Sequence, residues 1–241
     1  MLVLTNGNLI DGTGHDTIQN ASVIIDGDRI EDAGSDIKYP ENIEVIDLQN
    51  STIIPGLIDC HVHLGGFTID KPGQAIGKAT FMSIASFTWD YFRNYRHRRQ
   101  LTIKNGVTTI RSAGDLYPHI ITLRNNIDSG KLTGPRIFAP GPTITAPGGH
   151  PASTIYKGNR YITENAIRQI DNVGAARDEV RKLVEGGVDC IKAIYSDINP
   201  MDINQRVPRL SFGVLDAIAD EAHKNNLRLM VHTGSANEII D

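Results

Sequence analysis

The chain has 241 residues, 40% of them apolar and 22% charged, with a formal charge of −4. That is length enough for a sizeable core and a composition that excludes a disordered chain, while the mild negative charge gives no general attraction to nucleic acid. No apolar run approaches the roughly 18 residues a membrane span needs. The opening stretch MLVLTNGNLIDGTG has neither a basic leader nor a long apolar segment, so the cytoplasm is the expected compartment. Two cysteines, Cys60 and Cys190, each inside a strand-like run, make no disulfide scaffold and read as free thiols.

From residue 1 to about 54 the text reads as short strands: LVLTNGNLI, ASVIIDGDRIEDAG and IEVIDLQNSTIIP. Asn6-Gly7 and Asp26-Gly27 each sit between β-rich stretches, the signature of a hairpin. Residues 1–55 are therefore expected to form a small all-β unit. After Pro55-Gly56 strands alternate with helix-length segments, which implies a parallel sheet with crossover helices over 56–241. Strands are expected near 57–63, 106–111, 135–140, 188–194 and 227–232. The cluster RNYRHRR at 93–99 reads as a solvated helix face, with Trp89, Tyr91, Phe92 and Tyr95 as helix packing. APGPTITAPGGHPAS, 139–153, reads as a loop. In AARDEVRKLVEGG, Val180, Leu183 and Val184 share a face and Gly186-Gly187 ends the helix. In SFGVLDAIADEAHKNN, Ser211 is the expected N-cap, with Leu215, Ile218, Ala219 and Ala222 as the buried stripe. Five strand–helix beats are visible where a closed (β/α)8 barrel needs eight. An open parallel sheet is the alternative, although no glycine-rich phosphate loop marks its crevice.

The chemistry gathers at strand ends. In DCHVHL, residues 59–64, His61 and His63 are two apart on one strand and so share a face, while Cys60 points away. Two imidazoles side by side at a C-terminal strand end suit a metal; the bland alternative is a chance pair. Lys192, in GVDCIKAIY, lies inside an apolar strand where an ammonium needs compensation or conversion, unless it snorkels outward. His232 ends LRLMVH and, taken alone, reads as a satisfied core histidine. Tyr195 and Arg111, at the ends of their strands, are weaker pocket candidates.

NGNLIDGTG, VIIDGDRI, IIPGLIDCHVHL, GVTTIRSAGD, GPRIFAPGPTITAPGGH, GVDCIKAI and HKNNLRLMVHTGS together resemble the amidohydrolase superfamily, in its imidazolonepropionase-like and prolidase-like branch. The blocks run in order along almost the whole chain. The resemblance implies a small β-sandwich, made from both chain ends, attached to a metal-dependent (β/α)8 TIM barrel of which five of eight strands are visible here. It implies that His61 and His63 bind one metal, that Lys192 reacts with carbon dioxide to a carbamate bridging two, and that His232 binds the second. The cofactors are then two divalent metal ions, zinc by preference though manganese, iron or nickel suit the same donors. The activity implied is hydrolysis of an amide, lactam or dipeptide-like C–N bond through a metal-activated hydroxide. His150, in PGGH, matches a position near the substrate.

Two departures stand out. The second strand continues RSAGD where relatives often read RDLGG, and Gly234 stands where they frequently carry a histidine or tyrosine. The family also supplies a histidine after its sixth strand and, after its eighth, an aspartate that serves as ligand and proton shuttle. Both are expected beyond Asp241, so no general base is assigned within the chain and the chain alone is expected to be a poor catalyst. An unclosed barrel leaves strand edges for a second copy or a C-terminal half to cover. The rival readings are a non-catalytic scaffold derived from such an enzyme and a mononuclear deaminase of the same superfamily, which needs no lysine. The expected partner is a small amide or dipeptide-like substrate, with no nucleic acid and no membrane.

Overall fold

The computed structural model describes residues 1–64, 81–157 and 160–240 and, within the helix at 81–104, the side chains of Met82, Ala85, Trp89 and residues 95–104. The chain divides into two compact units, Met1–Leu57 and Ile58–Asp241.

The first unit holds β1 (Leu2–Leu9), β2 (Ile18–Asp26), β3 (Arg29–Gly34), β4 (Glu44–Asp47) and β5 (Thr52–Ile53). They form one sheet in the order β3-β2-β1-β4, with β5 also on β1. β1, β2 and β3 are antiparallel neighbours, whereas β4 and β5 run parallel to β1. Leu9, Ala21 and Val23 form its buried cluster, with Leu4, Ile18, Ile25 and Ile53 against it. Among the described residues this unit forms a single sheet. Asp26-Gly27 does close a hairpin, with Asp26 opposite Arg29 and Gly27 at φ +57°. Asn6-Gly7 does not: it lies inside β1 as an irregularity, with Asn6 at φ +55° and the register shifting between Leu4 and Gly7. An Asn-Gly pair that tolerates positive φ serves a bulge as well as a turn, and the dipeptide alone does not distinguish them.

The second unit alternates strands and helices: β6 (Leu57–Val62), α1 (Phe81–Lys104), β7 (Val107–Ser112), α2 (His119–Asp128), β8 (Arg136–Phe138), β9 (Thr143–Thr145), α3 (Arg160–Ala166), β10 (Ile167–Gln169), α4 (Val173–Glu185) and β11 (Cys190–Ile194). After them come the hairpin of β12 (Ile198–Asn199) and β13 (Asp202–Arg206), then α5 (Phe212–Lys224), β14 (Arg228–His232) and α6 (Ala236–Ile240). One sheet runs β6-β7-β8 and another β10-β9-β11-β14, with every pairing in the second parallel. Strands occupy all five stretches marked in the sequence. β9 falls inside the segment read as a loop and β10 was not anticipated. Each is a three-residue strand whose existence depends on a neighbour across the sheet, and Pro140-Gly141-Pro142 masks β9 further.

The core follows the two periodicities. Ile110, Ile144, Ile191 and Ala193 pack with Val180 and Leu183 of α4 and Ile218 of α5, which leaves their strand neighbours Arg111, Thr143 and Lys192 on the opposite face. Asn172 caps α4 by accepting from the Ala175 N–H at 2.9 Å, and Ser211 caps α5 through the Val214 N–H at 3.3 Å. The buried residues of α5 are Val214, Ala217, Ile218, Glu221 and Ala222, so its stripe is rotated from the expected one and Leu215 is half-buried. The basic cluster of α1 is not wholly solvated: Arg99 is 7% exposed, whereas Trp89, expected to pack, is 69% exposed. Arg99 lies where a side chain at residue 134 would stand, its Cδ 2.5 Å from a Cβ built on Gly134. Tyr91 and Phe92, also expected to pack, have side chains outside the described residues. No described helix is long and apolar enough to cross a membrane.

Candidate metal centre

β6 delivers the histidine pair. The strand is tied to β7 by the Ala113 N–H donating to Val62 O at 2.8 Å and by Arg111 Nε donating to Cys60 O at 2.9 Å. The His61 N–H donates to Asp59 Oδ1 at 3.0 Å. His63 Nδ1 lies 2.8 Å from Gly114 O. A carbonyl only accepts, so the proton sits on Nδ1 and the Nε2 lone pair is free for a Lewis acid. The two rings stand 5.6 Å apart between centroids.

Lys192 sits mid-strand in β11, in register with Thr143 on one side and Met230 on the other. It is 3% exposed, and no hydrogen bond or ion pair reaches its amine among the described residues. Burial, then the charge of Arg111, pushes its pKa down to about 8, with Cys190 pulling weakly the other way. His232 ends β14 in register with Ile194. Burial depresses its basicity, reinforced by Lys192 and His61 and opposed by Glu238. His61 is depressed by burial, then by Lys192, His63 and Arg111, with Asp59 opposing. Burial thus lowers the basicity of all three nitrogens, and the Lys192 charge lowers that of both imidazoles further, toward the neutral form that binds metals.

His61, His63, His150, Lys192 and His232 all line one cavity of about 210 Å³, together with Thr143 and an apolar wall that includes Ile155, Tyr156, Ile167 and Ile194. The His150 ring lies 5.6 Å from that of His232, and its Nδ1 is hydrogen-bonded with Thr154 Oγ1 at 2.6 Å. Burial, then His232 and Lys192, bring its pKa down to about 4. Tyr195 and Arg111 are outside this lining. Tyr195 belongs to the core beneath the Arg209 guanidinium, 4.4 Å from its ring centroid, as strand alternation from Lys192 dictates. Arg111 donates its Nε–H to Cys60 O, and its charge is felt at Lys192 and His61.

Among the described residues no three His, Cys, Asp or Glu side chains form a group able to hold a metal ion. The set as it stands is two adjacent imidazoles, a third imidazole and a buried amine with no counter-ion among the described residues. Imidazole nitrogens are donors that suit divalent metal, and the amine would join them only as an anion. Thr143, Gly114 and Tyr156 were not singled out in the sequence; GVTTIRSAGD held the one signal, a glycine next to a strand end. Gly234 has a steric reason: a Cβ there would stand 2.6 Å from Ser196 Oγ and 3.0 Å from Ile198 Cδ1.

Residues 52–241 match the Amidohydrolase family. Ochratoxinase of Aspergillus niger is 24% identical over 254 residues, aligned with 95% of this chain and 49% of that protein. Imidazolonepropionase of Streptomyces griseus subsp. griseus is 41% identical over 63 residues, 26% of this chain and 16% of that one. Among solved structures, a prolidase complexed with N-methylphosphonate-L-proline superimposes with a TM-score of 0.75 at 26% identity, covering 99% of this chain and 57% of that chain. Molinate hydrolase gives a TM-score of 0.79 at 24% identity, covering 99% and 55%, a likeness of fold. The chain spans about half the length of these ochratoxinase and prolidase relatives.

Proposed function

Since the chain belongs to the amidohydrolase family, we propose that it carries the metal-binding half of a hydrolase acting on carbon–nitrogen bonds. The reading rests above all on Lys192, a buried amine with no anionic partner among the described residues, in a cavity shared with His61, His63 and His232. His61 and His63 would hold one divalent ion, His232 the other, and Lys192 both, as a carbamate. Burial keeps the amine neutral far more often than an ordinary lysine near pH 7, and the neutral amine is the form that adds to carbon dioxide, releasing a proton and leaving an anion. When bound, two divalent ions supply a water of lowered pKa and polarise the scissile carbonyl. His150 borders the same cavity and is our candidate for contact with that carbonyl.

The finer assignments are of the same standing. Residues 1–55 are assigned to an all-β domain and 56–241 to part of a (β/α)8 barrel; zinc is the preferred metal, an amide, lactam or dipeptide-like molecule the substrate, and the cytoplasm the compartment. Tyr195, in the core, and Arg111, on the Lys192 side of its sheet but outside the cavity lining, are given no contact with substrate on this reading. The general base lies outside the residues assigned.

Incubation with carbon-13 bicarbonate and zinc tests the centre. We expect a carbamate resonance and close to two zinc ions per complete protein, with the resonance and one ion lost in Lys192→Ala. One ion bound equally by wild type and Lys192→Ala, with no carbamate, overturns the binuclear reading in favour of the mononuclear deaminase.

A further inference from the structure

His63 lies just beyond the last residue of β6, so something other than sheet pairing must fix its ring. The four residues Ser112–Asp115, from the last of β7 into its loop, meet it at two points. The Gly114 carbonyl accepts from His63 Nδ1 at 2.8 Å, and the Asp115 Oδ2 accepts from the Leu64 N–H at 3.3 Å. Asp115 is itself 0% exposed and is held by Ser112 Oγ–H at 2.7 Å, also fully buried. Its negative charge reaches the cavity wall as well, since after burial it is what raises the pKa of Tyr156.

A fully buried carboxylate is costly unless its surroundings hold it in place, and this one is placed where it grips the backbone on the far side of a candidate ligand. We propose that Asp115 is a positioning residue: it clamps Leu64 so that the His63 ring stays on Gly114 O with Nε2 open to the cavity. The inference rests on the metal-centre reading. Asp115 touches neither metal nor substrate in this role; it acts through the backbone of Leu64 and the loop that carries Gly114. Ser112 is its support, fixing the carboxylate by a short hydrogen bond across the turn.

Cobalt(II) titration followed by visible absorption, with circular dichroism confirming fold at each temperature, tests this in the complete chain. Asp115→Asn is expected to weaken cobalt binding by about 10- to 100-fold, the range for groups that orient a ligating histidine, and to alter the visible band. Asp189→Asn is the control: Asp189 is a half-buried carboxylate that accepts from the Ala139 N–H at 2.8 Å and Arg124 at 2.7 Å, away from the cavity lining. It should leave cobalt affinity unchanged. Wild-type affinity in Asp115→Asn, or equal weakening in Asp189→Asn, overturns the proposal while leaving the metal centre standing. Absence of cobalt binding by the wild type brings down both. If Asp115→Asn does not fold, Ser112→Ala takes its place: a several-fold loss of affinity supports the clamp and none overturns it.

Discussion

Every residue of β11 is buried, whereas β6 is exposed along all but its last residue, yet both deliver candidate ligands to one cavity. β11 lies between β9 and β14, with Ile191 and Ala193 packed against the helices, so Lys192 is placed by packing on either side. β6 has one hydrogen-bonded neighbour among the described residues, β7, and its histidines are placed by polar contacts from Arg111, Ala113, Gly114 and Asp115. The same centre is therefore held by apolar burial on one side and by hydrogen bonds on the other. The two should respond to different substitutions.

The largest contrast is in stability. Ile191 is 0% exposed and Ile58 is 66% exposed. Ile191→Ala is expected to cost about 2–5 kcal/mol through lost burial and a residual cavity, and Ile58→Ala no more than about 0.5 kcal/mol. Urea unfolding of the two variants measures this; equal costs would erase the distinction between the strands.

Next comes the charge that β11 buries. The folded pKa of Lys192 is lowered from 10.5 to about 8. Between those values the unfolded chain binds more protons than the folded one, so stability rises with pH across that window and is lower below about pH 8. In metal-free protein depleted of carbon dioxide, Lys192→Met should flatten that rise. It should also stabilise the protein at pH 7, by on the order of 3 kcal/mol at most. A wild-type profile that is flat from pH 8 to 10.5 would show that the amine is not held neutral by its surroundings.

The sequence disclosed the two strands unequally for the same physical reason. β11 and the helices beside it carry their own signals: an apolar run, the cap at Ser211, the stop at Gly186. Strand alternation was enough to set His61 and His63 on one face and Lys192 on that of Cys190. Applied one step further it also places Tyr195 in the core, which its position at a strand end had obscured. What was not legible depends on partners distant in the chain. The three-residue strands β9 and β10 exist through Thr143 pairing with both Lys192 and Ile167. The apolar wall of Ile155, Tyr156 and Ile167 comes from an irregular segment and a strand of this kind, and Arg99 is buried in the space left by a glycine 35 positions on.

The smallest effect tests where the two sides meet. Gly114 has φ +128°, a conformation that side chains rarely adopt, and a Cβ built on it would collide with the Thr143 hydroxyl. Thr143 pairs with Lys192, and Gly114 O holds the His63 ring. Gly114→Ala therefore pushes against the packed side while straining the turn that orients the hydrogen-bonded side. We expect a loss of about 1–3 kcal/mol, the usual cost of forcing extra volume into a packed site. If polar contacts alone fix β6, that strain should fall on the proposed metal site of His61 and His63 and leave the proposed carbamate on Lys192 intact. Cobalt affinity reads the first and the carbamate resonance the second. Loss of both together would mean that the two strands are one packed unit, and that exposure along β6 is a poor guide to how its histidines are held.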